Sequence, residues 1–112
     1  MEVIKKFPED MDGRTAYRLM KSPEVKRMLE AEGSVLEIAA WIQYNSPDKE
    51  TGELKEVIAV ETVDGEMFST ISNTFKEEFL DMVDWFGSDL GSIKVIGGTS
   101  KAGRKYITCG VA

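Results

Sequence analysis

"GGTSKAGRKY", residues Gly97–Tyr106, is the stretch whose reading decides the fold. Gly98 and Gly103 stand at the G-x-x-x-x-G spacing of a phosphate-cradling loop, with Arg104 and Lys105 immediately behind them. In such a loop a Lys reaches the β/γ-phosphates, a following Ser or Thr holds Mg²⁺, and a helix begins there and aims its backbone N–H groups at the anion. Here no Ser or Thr follows Lys105, and "KYITCGVA" is rich in β-branched and aromatic residues that favour a strand. "SKAG", between the strand-like "SIKVIG" and "KYITCGV", therefore reads as a hairpin loop with a glycine at its end. The nucleotide-hydrolysing reading falls away, and a basic hairpin is left to explain.

Upstream, "SNTFKEEFLDMVDWFG" (Ser72–Gly87) repeats apolar residues at intervals of three and four, through Phe75, Phe79, Met82, Val83 and Phe86. That spacing predicts an amphipathic helix with those side chains in the core. Before it, "LKEVIAVETV" and "EMFSTIS" read as strands joined by a tight turn at Asp64-Gly65. "SVLEIAAWIQY" (Ser34–Tyr44) has a period of two, with Leu36, Ile38, Ala40, Ile42 and Tyr44 on one face and Glu37, Trp41 and Gln43 on the other. "NSPDKETGE" is the polar loop after it. The first 33 residues predict two short helices, "DGRTAYRLMKS" capped by Asp12 and "SPEVKRMLEAEG" opened by Ser22-Pro23 and stopped at Gly33.

The expected fold is therefore mainly β. Five strands with a helix between the third and fourth is the element order of the OB-fold, a small partly open barrel. The expected organisation is one domain over residues 1–112, with residues 1–33 a helical N-terminal extension and residues 34–112 the barrel. In that scheme "NSPDKETGE" is the loop between strands one and two, and "TSKAG" the loop between strands four and five. Those two loops and the face of strands two and three are where OB-folds bind oligonucleotides.

Composition narrows the chemistry. The chain has no histidine, which removes the commonest general base and metal ligand, and with them hydrolytic triads and His-containing zinc sites. "DMDGRTAYRLMK" starts like a calcium loop, but its Gly falls at the wrong offset and no Glu closes twelve residues. No metal, cofactor or enzymatic activity is expected. A lone Cys109 reads as a small buried thiol. No apolar run could span a bilayer and the first ten residues lack a signal core, so a cytoplasmic protein without membrane contact is expected.

The net charge of −6 hides an asymmetry: from Leu90 to Ala112 the chain carries Lys94, Lys101, Arg104 and Lys105 and no acidic residue. Screening limits repulsion from the acidic remainder to roughly 10 Å, so a basic ribbon on an acidic body can still attract a polyanion. If Ile107 and Cys109 point inward, Arg104 and Tyr106 point out; Phe68 lies opposite Met67 and Ile71, and Trp41 opposite Ile38 and Ile42. Aromatic rings among basic groups suit a single strand, whose unpaired bases stack while its phosphates meet Lys and Arg.

From Asp64 to about Ile107 the chain resembles the small single-stranded DNA-binding proteins of protein-primed Bacillus phages and their relatives in Firmicute phages and conjugative elements. The resemblance rests on Asp64-Gly65, Phe68, Ile71-Ser72, Thr74, the helix end "DMVDWF", Lys94, Gly98-Thr99-Ser100 and Gly103. It implies cooperative, largely sequence-independent coating of replication intermediates without catalysis. By position it implicates Lys94, Gly98, Thr99, Ser100, Phe68 and Tyr106. The expected nucleic-acid-binding set is then Lys94, Lys101, Arg104, Lys105, Tyr106, Trp41, Phe68, Thr99 and Ser100, with single-stranded DNA as partner and self-association along the strand beside it. The rival expectation is a protein–protein interaction module of a phage or mobile element that presents its acidic helices.

Overall fold

The computed structural model describes residues 1–112. In chain order its elements are β1 (Glu2–Phe7), α1 (Gly13–Lys21), β2 (Lys26–Arg27), a 3₁₀ turn (Met28–Ala31), β3 (Val35–Pro47), β4 (Leu54–Thr62), β5 (Met67–Thr70), α2 (Asn73–Phe86), a second 3₁₀ turn (Gly87–Asp89), β6 (Ser92–Thr99) and β7 (Lys105–Val111). The protein is mainly β: a curled half-barrel sheet with two helices. Seven strands, rather than the expected five, join in the order β2-β5-β4-β3-β6-β7, with β1 on β3.

Two of the seven lie in the segment read as helical. β1 pairs antiparallel with Trp41–Asn45 of β3, and β2 pairs parallel with Phe68 and Ser69 of β5. Only the first of the two expected helices forms. Asp12 caps it by accepting a hydrogen bond from the Thr15 backbone N–H at 2.7 Å, and that bond holds the Asp12 carboxyl below its ordinary range. Ser22 is extended, as a residue before proline tends to be. Beyond it the edge of β5 takes Lys26–Arg27 as a backbone partner, and this long-range pairing overrides the local helix signal.

β3 contains the main departure from simple alternation. Its pairing with β4 slips between Ile38, opposite Thr62, and Ala40, opposite Glu61. An extra residue at this bulge reverses the facing of everything after it. Leu36, Ile38 and Trp41 consequently face one side, while Ala40, Ile42 and Tyr44 face the other.

Both sides are covered. Inside the curl, Trp41, Ile58, Val60, Phe68, Ile93, Val95, Ile107 and Cys109 pack with Phe75, Phe79, Met82 and Val83 of α2. Trp41 meets Phe79 edge-on at 5.5 Å between ring centroids, and Phe75 lies 5.9 Å from Phe79. Each such ring contributes roughly 1.5–3 kcal/mol by leaving water. On the outside, Leu19 of α1 and Met11 cover Ile42, Tyr44, Val57, Ala59 and Met67. An Arg18–Glu61 ion pair at 2.8 Å ties α1 to β4. Phe86, expected in the core stripe of α2, is 43% exposed at the last residue of the helix.

Candidate nucleic-acid interface

β6 and β7 form the hairpin read from the sequence. Gly103 donates its N–H to the Ser100 carbonyl at 2.9 Å, and Ser100 donates to the Arg104 carbonyl at 2.8 Å. The Arg104 N–H donates to Ser100 Oγ at 3.2 Å. Gly103 has φ +81°, a backbone conformation open to glycine, so this loop glycine closes a turn. A strand rather than a helix follows it, and the Ser100, Gly103 and Arg104 N–H groups are bonded within the turn.

Register fixes which side chains share a face. Lys94 opposes Gly110, Ile96 opposes Thr108 and Gly98 opposes Tyr106. These point away from the core, whereas Ile93, Val95, Ile107 and Cys109 point into it. Lys94 is exposed, and Ile96 and Tyr106 are each 41% exposed. The Tyr106 ring lies across Gly98: a Cβ built there would come within 2.5 Å of the ring Cζ. The absence of a side chain at Gly98 thus makes room for the ring against the hairpin, where it stays partly exposed.

Charge follows the same ribbon. The structure's four ion pairs are Arg18–Glu61, Lys26–Glu66, Lys55–Asp48 and Lys76–Glu56. None involves Lys94, Lys101, Arg104 or Lys105, so these cations are free to meet an anion. Thr99 and Ser100 are exposed beside them. Ser100 Oγ accepts from Arg104 N–H, which leaves its own proton for an outside acceptor.

Trp41 and Phe68 do not join this surface. The bulge in β3 turns Trp41 into the inner core at 2% exposure, and Phe68 is 5% exposed on the same side, opposite Met67 beneath α1. Both faces of β5 are covered, so its alternation does not separate core from solvent. Ile71, expected inward with Met67, is 53% exposed. α1 also occupies the outer face of β4 and β5. The loop after β3 is self-contained: Asp48 accepts from Glu50 N–H at 2.8 Å, Thr51 N–H at 3.2 Å and Lys55 Nζ at 2.9 Å, and its pKa is lowered to about 2, chiefly by the Lys55 hydrogen bond. Cys109 donates to the Phe75 carbonyl at 3.7 Å, and burial pushes its thiol up to about 12.

One feature has no local signal in the sequence. Between the end of β5 and the start of β7 lies a cleft of about 530 Å³, lined among others by Arg27, Leu29, Ser69, Ile71, Lys105 and Tyr106. Arg27 and Leu29 reach it only because β2 pairs with β5.

The sequence profile described as "Phage Single-stranded DNA-binding protein" matches residues 17–112. The chain belongs to this family. Among its relatives, a protein called single-stranded DNA-binding protein from Bacillus phage B103 is 32% identical over 82 residues, covering 69% of this chain and 67% of its own length. One of the same name from Bacillus phage PZA is 29% identical over 82 residues, covering 69% of this chain and 66% of its own. The matched region includes the whole β6–β7 ribbon. No solved structure matches the chain. No helix is long and apolar enough to cross a membrane.

Proposed function

We propose that this chain binds single-stranded DNA with little sequence preference, coating it during phage or mobile-element replication in the cytoplasm of the host cell and catalysing nothing. The observation that carries the reading is the outer face of β6–β7. There the unpaired cations Lys94 and Arg104 share a face with a half-exposed Tyr106, with Lys101 at the tip of the loop and Lys105 beside Tyr106 at the strand's edge, in a chain of the phage single-stranded DNA-binding family. Lys94, Lys101, Arg104 and Lys105 hold phosphates, with the Thr99 and Ser100 hydroxyls assisting, and a base stacks on the free side of Tyr106. Stacking on a ring and charge on a flexible backbone are indifferent to sequence, which suits a coating protein. The framework is OB-fold-like: β3-β4-β5, then α2, then β6-β7, with β3 pairing to both β4 and β6, supports that topology, and β1, α1 and β2 are additions to it.

Fluorescence anisotropy of labelled oligo(dT) and of a duplex of the same length tests this. Saturable binding of the single strand, at least tenfold tighter than the duplex, is expected; equal affinity for the two contradicts the reading.

A protein-interaction module is the second reading, favoured by Trp85, which is 86% exposed on α2, directly after the exposed Asp84 and one turn after the exposed Asp81. An oligo(dT) titration without binding would turn the balance toward it.

A further inference from the structure

We infer that the cleft between β5 and β7 is a pocket for one unstacked nucleobase of the bound strand, with Arg27 and Lys105 holding phosphates at its mouth. The inference rests on the single-strand-binding reading and extends it to residues on the other side of Tyr106.

The cleft exists because the sheet stops short of closing. β7 has β6 on one edge and no strand on the other. Part of that open edge is bridged by side chains: Ser72 Oγ and Thr74 Oγ1 donate to the Ile107 carbonyl at 3.1 and 2.6 Å, and Thr108 Oγ1 donates to the Thr74 carbonyl at 3.3 Å. These bonds tie the edge to the start of α2 at Ile107 and Thr108. Before Ile107, at Lys105 and Tyr106, nothing bridges to β5, and the gap opens into the cleft.

Its chemistry fits a base. At about 530 Å³ it falls within the range of small-molecule pockets. Leu29, 40% exposed, and Ile71, 53% exposed, offer apolar surface to a ring face. Ser69 and Thr70 line it with hydroxyls that both donate and accept, so they can meet the polar edge of any base. Arg27 lies outside every ion pair in the structure, as does Lys105, and the two line opposite sides of the opening. Charge complementarity therefore selects an anionic backbone as the occupant's scaffold.

Continuity places the pocket on the strand's path. Tyr106 and Lys105 line both the cleft and a smaller hollow formed with Leu29, Glu32 and Gly97–Thr99. The Glu32 side chain lies across Gly97 there, its Oε1 occupying the place a Cβ would take. That carboxylate repels phosphate from the hollow and leaves the Arg27–Lys105 side as the route inward. A strand crossing the outer face at Tyr106 thus meets the cleft at its next step.

The test compares oligo(dT) with an oligonucleotide of equal length carrying abasic sites, which keeps every phosphate and removes the bases. Leu29→Trp and Ile71→Trp fill the cleft from half-exposed positions outside the core. Each is expected to weaken oligo(dT) binding about tenfold while changing abasic binding by less than about twofold. Arg27→Ala is expected to weaken both and to reduce the salt slope by about 0.7. On the unmutated protein, ultraviolet cross-linking with 4-thiothymidine in the strand should label the peptides holding Leu29 or Ile71. Filled variants that bind oligo(dT) like the parent, or cross-links confined to Lys94–Gly98, would overturn the pocket and leave the outer-face reading intact. Failure of the parent protein to bind either oligonucleotide would instead remove the reading beneath it.

Discussion

Replacing Tyr106 by alanine perturbs packing and binding together, by amounts that two measurements can separate. The ring is 41% exposed and lies on Gly98, so a little over half its surface is already out of water. Full burial of an aromatic ring is worth roughly 1.5–3 kcal/mol, so the truncation should cost about 1–2 kcal/mol of stability. For a domain near this size that lowers the melting temperature by roughly 4–15 °C. Loss of a stacked base costs a further 1–3 kcal/mol in binding, about 5- to 150-fold in Kd. Anisotropy with labelled oligo(dT), read at 15 °C where the variant is folded, isolates the second quantity; thermal melting followed by circular dichroism gives the first. Tyr106→Phe should keep both, since stacking and packing need the ring and not the hydroxyl. A folded Tyr106→Ala protein that binds oligo(dT) with unchanged affinity would refute the assignment of this ring to the DNA.

The two tryptophans should behave oppositely. Trp85→Phe should remove the iodide-quenchable fluorescence and leave stability within about 0.5 kcal/mol, whereas Trp41→Ala should cost about 3–5 kcal/mol by emptying the space against Phe79. Asp48 has a folded-state pKa lowered to about 2 from 3.8, so its contribution is present above pH 4 and lost as pH falls toward 2. Amide protection at Glu50 and Thr51, whose N–H groups donate to it, should fall over that window relative to the intrinsic exchange rate, and Asp48→Asn should flatten the fall. The Cys109 thiol, buried and pushed up to about 12, should react with a thiol reagent at pH 8 only at the rate of unfolding.

The hairpin and α2 were legible because both signals are local. Ile93, Val95, Ile107 and Cys109 alternate with exposed neighbours, Gly103 marks the turn, and Phe75, Phe79, Met82 and Val83 recur at helical spacing. The facing of Tyr106 follows from the same alternation. The facing of Trp41 does not: Ala39 and Ala40 are both small, so nothing in "EIAAW" announces which residue the ladder skips. Phe68 misled for another reason, since α1 covers the outer face of β5 and both Met67 and Phe68 are buried. β1 and β2 form on partners 34 or more residues away, and "EVIKKF" and "KR" carry no pattern that names those partners. Arg27 and Leu29 reach the cleft through the same β2 pairing, so no local pattern marks their place there.

The salt dependence of oligo(dT) affinity tests the central claim most directly. Lys94, Lys101, Arg104 and Lys105 neutralise about three or four phosphates if the ribbon is the binding face. At about −0.7 per phosphate, log K against log salt should then fall with a slope of roughly −2 to −3. Substituting Lys101 and Arg104 together with alanine should reduce the slope by about 1.4 while leaving the fold intact, because both side chains are exposed and unpaired. A flat salt profile for the parent protein, or a slope that the double substitution leaves unchanged, would contradict the placement of DNA on this hairpin.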